Sequence, residues 1–399
     1  MMNKGLLDGI VVLDLTRVLA GPYCGALLAD MGATVYKVEV PGRGDDSRAM
    51  GPFYENGESA YFINDNRGKL GCTLNLKAPE GKKLFLELVK KADVLLENYR
   101  PGTMEKLGLG YDVLKEVNPG LIYGSVSGYG HTGPYSKRAG YDIVGQAAGG
   151  MMSTTGWPDS APTRTGTPIS DVLGGLSLTI GVLAALTNKQ RTGEGEKVDV
   201  SLVDSVVSAM MNINMIYFTE GRIPQRIGNR YESIYPYDSF RTADGDVIIG
   251  AGNDKLFALL CKEMEREDLL TDERFDSNAK RVANSASLKE IIEVWTIAQT
   301  VDGVVDRLTE LGVPACPINT IDRVVKDPQI AGARNMFPSI EHPTVGKVTI
   351  TNNPFKFTNH PADARNSSPL LGQHNEEVFC GLLGLDKESF EALKENHVI

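Results

Sequence analysis

The 399-residue sequence predicts an α/β fold, with a large parallel-sheet domain and a smaller α+β domain. Three observations carry that expectation. The chain opens on strand, helix and strand in immediate succession, and strands joined through a helix pair in parallel. The alternation of short apolar runs with amphipathic stretches resumes from residue 79. Near residue 220 the composition changes, and 399 residues are more than a single core usually serves.

In chain order, "IVVLDL" (10–15) reads as a buried strand, "YCGALLADMG" (23–32) as a helix stopped by glycine, and "TVYKVEV" (34–40) as a second strand ending near Glu39. "PEGKKLFLELVKKA" (79–92) starts on proline and is amphipathic, the signature of a surface helix. "DVLLENY" (93–99) and "LIYGSVSGYG" (121–130) are further strands. An apolar helix covers 172–187, and "TGEGEKVDVSLVDS" turns into a strand that leads to a methionine-rich helix over 202–218. Those methionines read as core filler. The large domain thus spans 1–218. Residues 219–235, "TEGRIPQRIGNRYESIY" and rich in arginine, proline and glycine, read as a linker. The smaller domain, 236–330, opens with a hairpin turning at Ala243-Asp244-Gly245-Asp246, and helices follow over 255–269, 285–298 and 302–312. Residues 331–399 return to complete the large domain.

Composition excludes several classes of function. A hydrophobic share of 42% with 23% charged residues is that of a globular protein, and a net charge of −10 argues against a nucleic-acid binder. Five scattered cysteines, without C-x-x-C, fit a reducing compartment and give no disulfide framework; five histidines show no metal-ligand spacing. The start "MMNKGLLDGIVVLDL" lacks a signal-peptide pattern, and the uncharged run after Asp171 is interrupted by glycines, Ser177 and Thr179. A cytoplasmic protein with no metal and no membrane association is expected.

Strand, helix, strand and then an acid invites a dinucleotide reading, but "TRVLAGPYCG" has no G-x-G-x-x-G. A sharper candidate is Asp171, which stands in front of the apolar helix in "GTPISDVLGGLSLTIGVLAAL". It either caps that helix or, with Ser170 able to cap, is left for chemistry.

Several landmarks stand in one order: "DLTRVLAGPYCGALLADMGATVYKVE", "NRGK" before "LNLKAPEGK", "ENYRPGTMEKLGLGY", "SGYGHTGP", "AGYDI", the Asp171 stretch, "TGEGEKVDVSLVDS", "NPFKFT" and "PLLGQHNEEV". Together they resemble the class III CoA-transferases (the CaiB/BaiF family) over nearly the whole chain. The resemblance implies a Rossmann-like large domain that binds coenzyme A. It also implies an open-ring chain that interlocks with a second copy as a homodimer, and Asp171 as catalytic nucleophile. An aspartate is ionised at neutral pH at its ordinary pKa and needs no partner base to attack a thioester. The substrates would be an acyl-CoA thioester and a small carboxylic acid, with no permanently bound cofactor. The thiolate released by the first attack would return on the aspartyl carbonyl, and a second acid would reverse both steps. Backbone N–H groups of Gly174 and Gly175 are candidates to stabilise the oxyanions.

The resemblance further implies a basic pocket for the CoA phosphates, drawn from Lys37, Arg67, Lys69, Lys77, Arg100, Lys106, Lys137 and Arg138. Asn98 and Tyr99 would sit beside Arg100, with Leu19, Ala20 and Leu74 near the adenosine part, and Tyr141 and Asp142 near the thioester. Related enzymes acting on formate and oxalate carry glutamine where this chain has Leu19 and arginine where it has Val40-Pro41. The departures point to a larger acid, such as a hydroxy acid, branched acid or dicarboxylate. The rival reading within the family is an α-methylacyl-CoA racemase, whose histidine falls at Tyr141; a phenol with an ordinary pKa near ~10 is a poor base. A non-catalytic CoA-binding protein is the third.

Overall fold

A computed structural model of the chain describes residues 5–364 and 366–399. Six parallel strands form the main sheet: β1 (Val11–Asp14), β2 (Thr34–Glu39), β3 (Leu70–Thr73), β4 (Val94–Glu97), β5 (Ile122–Ser127) and β6 (Lys197–Ser201). Their order across the sheet is 3-2-1-4-5-6. The register puts Val12 beside Val35 on one side and Val94 on the other. This is the doubly wound order, in which the direction of winding reverses between β1 and β4.

Both sheet faces are covered, which is why the strands read as near-continuous apolar runs. Leu13, Tyr36, Val38, Leu95 and Tyr123 face a core shared with the helices Pro79–Val89 and Tyr111–Val117. Val12, Val35, Val94, Leu96 and Ile122 face the helix Ala20–Asp30 and the long helix Ile169–Thr192. That long helix exceeds the expected 172–187 at both ends. It is apolar because one side, Gly174, Gly175, Leu178, Thr179, Val182, Ala185 and Leu186, is buried. By length and composition alone it is long enough to cross a membrane.

Strand β3 and the short helix Ala60–Asp65, neither foreseen, lie between β2 and the helix at 79. The methionine-rich helix is two helices, Leu202–Ala209 and Met211–Glu220, bent by 71° where Met211 takes a positive φ of 39°. Of its methionines only Met210 fills the core, at 8% exposure; Met211 is 71% exposed and Met215 51%.

The described residues divide into two compact units, one drawn from 5–151, 164–220 and 328–399, the other comprising 152–163 and 221–327. Most of the stretch read as a linker therefore belongs to the second unit, as do 152–163. In that unit β7 (Tyr237–Arg241), β8 (Asp246–Gly250) and β9 (Ala315–Pro317) form an antiparallel sheet. It packs on the helices Asp254–Glu263, Ser285–Thr296 and Val301–Glu310 around Phe240, Phe257 and Leu288. The return segment carries the hairpin β10 (Ser339–His342) and β11 (Gly346–Thr349), which packs on Ile63.

Candidate active site at the switch point

Parallel sheets of this order leave a crevice beyond the carboxyl ends of the strands where winding reverses. Here it lies between the loops after β1 and β4. The Arg17 N–H donates to Asn98 Oδ1 (2.8 Å) and Asn98 Nδ2 donates to the Arg17 carbonyl (2.6 Å), tying the two loops together. A cavity of ≈ 170 Å³ opens there, lined by Arg17–Ala20, Asn98–Pro101, Gly128, Arg138, Tyr141 and Asp171. A second cavity of ≈ 630 Å³ is lined by Val40, Arg43, Leu74, Leu76 and Lys77, and shares Arg17 and Tyr99 with the first.

Beneath the β1 loop lies a buried ionic network. Lys69 Nζ pairs with Asp14 (2.7 Å) and Lys37 Nζ with Asp45 (2.8 Å), all four side chains having no exposure. Asp45 also accepts the N–H groups of Val18 and Ser47. Against the cost of burial, Lys37 and these bonds hold the Asp45 carboxyl down to about 2. Val18 is thereby kept at φ 69°, a backbone region that a β-branched residue enters only under constraint.

Asp171 occupies the third position of the long helix, three residues beyond the capping position held by Pro168. The capping is done from outside: Asp142 Oδ1 accepts the Ser170 N–H (2.9 Å) and the Ser170 hydroxyl (2.9 Å). Among the described residues no hydrogen bond is recorded to the Asp171 carboxylate. Burial first, and then the charges of Asp142 and Asp65, push it up to about 7. The expectation of a fully ionised aspartate at neutral pH is corrected: near pH 7 the group is divided between its two forms. Asp65, buried with one carboxyl oxygen unpartnered, is itself pushed up to about 6 by burial.

The structure brings Leu19, Ala20, Asn98, Tyr99, Arg100, Arg138, Tyr141 and Asp171 to one cavity, and Leu74 and Lys77 to the other. Lys37 is a correction, because its ammonium is enclosed by Asp45 and the Thr16 carbonyl with no surface for a phosphate. Lys69 is enclosed likewise, and Arg67 is buried against Asp30 (2.7 Å). Lys106 and Lys137 are exposed and line neither cavity, while Asp142 is engaged with Ser170 and Gln146. Gly174 and Gly175 lie inside the helix, which commits their N–H groups to carbonyls four residues back. They serve packing: a Cβ on Gly175 would meet the Ala20 carbonyl oxygen at 2.6 Å. Reading the sequence missed Arg17 and Arg43; their signal was position, just past the ends of β1 and β2.

Residues 7–375 match CoA-transferase family III. The chain belongs to that family. It is 39% identical to a succinyl-CoA–D-citramalate CoA-transferase of Chloroflexus aurantiacus, covering 98% of each chain. With an acetyl-CoA:oxalate CoA-transferase of Acetobacter aceti it shares 42% identity over 90% of each. A crystal structure of a CaiB/BaiF family protein from Brucella suis superposes with a TM-score of 0.83 at 40% identity, covering 96% of this chain and all of that one. Like the rest of the family, this CoA-transferase works on CoA thioesters.

Proposed function

We propose that the enzyme moves CoA from an acyl-CoA to a free carboxylic acid through an Asp171 intermediate, with the thioester in the first cavity and the nucleotide in the second. The observation that carries this reading is the unpartnered, half-buried Asp171 carboxylate in a cavity joined at Arg17 and Tyr99 to a larger one with basic residues. In its ionised form Asp171 attacks the thioester carbonyl. The C–S bond breaks, leaving a mixed anhydride and CoA thiolate. The thiolate attacks the aspartyl carbonyl and releases the first acid as its carboxylate. The second carboxylate then displaces thiolate from aspartyl-CoA, and the thiolate takes its acyl group and frees Asp171. One thioester is exchanged for another, so no external energy source is required. Leu19 and Ala20 line the same cavity, and the helix that starts at Ala20 has no side-chain cap. Its first N–H groups suit an oxyanion.

Arg17, Arg43 and Lys77 are the groups best placed for the phosphates, and Arg138, stacked 3.6 Å over the Tyr135 ring, stands at the thioester end. A larger acid, such as a hydroxy acid or dicarboxylate, remains the proposed co-substrate. The working form is proposed to be an interlocked homodimer. Met211, Met215, Tyr217 and Phe218 are more than half exposed on one helix, an apolar surface typical of a protein interface.

Incubation with acetyl-CoA and a panel of acids should give new CoA esters by mass spectrometry. Hydroxylamine should trap one modified side chain, Asp171. Asp171→Ala should stay folded and lose exchange; substantial turnover by that variant would sink the mechanism. Uptake of solvent deuterium at the α-carbon of a 2-methylacyl-CoA, at the rate of turnover, would instead indicate a racemase.

A further inference from the structure

We propose that Gln146 is a positioning residue of this active site: its buried amide clamps Asp142 and the approach to the long helix in the one arrangement that presents Asp171 to the cavity. The inference rests on reading Asp171 as the nucleophile.

Gln146 has no exposed surface and lies one turn after Asp142 on the helix Asp142–Ala148. Its Nε2 donates to Asp142 Oδ2 (2.8 Å), and its Oε1 accepts the Thr165 N–H (3.0 Å). The Thr165 hydroxyl donates in turn to the Thr167 carbonyl (2.7 Å). The other carboxyl oxygen of Asp142 holds the N–H and hydroxyl of Ser170, whose hydroxyl also reaches the Asp142 carbonyl (2.8 Å). One amide therefore joins two segments, 142–146 and 165–170, that meet immediately before the nucleophile.

The orientation of the amide is determined by its neighbours. Reversed, it would set its oxygen against the Asp142 carboxylate and its NH₂ against the Thr165 N–H, two like-against-like contacts. Every hydrogen bond given for the Asp142 carboxyl is one it accepts. Among the described residues Gln146 is the recorded donor to Oδ2. Loss of that donor takes a hydrogen bond from the carboxylate of the partly buried Asp142 and leaves the buried end of residue 146 without a polar link to it. Asp142 is then free to shift, and that movement reaches Asp171 through the backbone of Ser170 and through the charge it feels. The groups acting on Asp171 are Asp142 and Asp65, with the Tyr61 phenol also within electrostatic reach.

Two variants test this in the full-length enzyme. Gln146→Met removes both amide contacts at similar length. Gln146→Glu keeps the shape and the acceptor toward Thr165, and can donate to Asp142 only while the introduced carboxyl is protonated. Gln146→Met should lose about tenfold or more in kcat for CoA exchange, the scale of one hydrogen bond to a charged group, with little change in KM for acyl-CoA. Gln146→Glu should keep much of its activity near pH 6 and lose it toward pH 8, where the parent enzyme has reached its plateau. Unchanged CoA binding at pH 8 shows that the variants are folded. Parental kcat and pH profile in either folded variant overturns the proposal, as does an equal, pH-independent loss in both. Exchange retained by Asp171→Ala would be a different failure, that of the nucleophile itself.

Discussion

Asp171 differs from an ordinary surface aspartate in one measurable respect, its proton affinity. With its carboxyl pushed up to about 7 by burial and by Asp142 and Asp65, kcat/KM for exchange should rise with pH and level off near that value. Its effect on stability has the opposite sign. Between an ordinary aspartate pKa and about 7 the folded protein keeps a proton that the unfolded chain gives up, so the group's contribution to stability is lost as pH rises through that window. Asp171→Asn should therefore raise the thermal midpoint, by an amount that grows from about pH 4 to pH 7 and then levels. A gain that does not vary with pH would refute the assignment. The basic residues separate in the same way. Arg17→Ala and Lys77→Ala, each at a cavity wall, should weaken CoA binding by ~1.5–3 kcal/mol, measured by calorimetry. Lys37→Met, which strands Asp45 in the interior, should lower stability far more than a surface change. The chain's letters could locate Asp171, but they carry no sign of which lysines are enclosed. Lys37 and Lys77 look alike until β2 buries one and the loop after β3 exposes the other.

The long helix links site to scaffold. Its glycines let it cross the helix Ala20–Asp30 at close range: on Gly175 a Cβ would lie 2.6 Å from the Ala20 oxygen and 3.1 Å from the Tyr23 ring. Backbone cannot yield as a flexible side chain can. Gly175→Ala should cost ~1–3 kcal/mol of stability and also depress exchange, because the same crossing sets Ala20 beside the reacting group; thermal melts and the exchange assay measure both. At this scale much could be read in advance. β1, β2, β4, β5 and β6 are runs of apolar and β-branched residues bounded by turns, and each lies close to where the pattern puts it. β3, with four residues, one of them Gly71, is too short to show a period. The helix Ala60–Asp65 was missed because six residues, half of them polar or small, show no apolar stripe. The break at Met211 also had no local marker: neither glycine nor proline stands there.

For the molecule as a whole, the proposed dimer makes a definite forecast. In sedimentation the parent chain should run at twice its chain mass over a wide range of concentration. A double change, Met215→Asp with Phe218→Asp, should give a smaller or aggregated species with little exchange activity. A monomer that is fully active would rule the dimer out as the working form. Strand order carries a further consequence. β3 is the outer strand of the main sheet, and its free side is closed by residues from the far end of the chain. The Gly71 N–H donates to His374 Nδ1 (3.0 Å), the Thr73 N–H to Asn375 Oδ1 (2.8 Å), and the Asn75 N–H to the Val398 carbonyl (2.8 Å). A ribosome must therefore make some three hundred further residues after this strand before anything can shield it. Throughout that interval the nascent chain carries an open β edge, the kind of surface that recruits other unfinished chains. Translation that stalls between 330 and 370 should leave a product that depends on chaperones, whereas the finished chain carries its own cover for the strand.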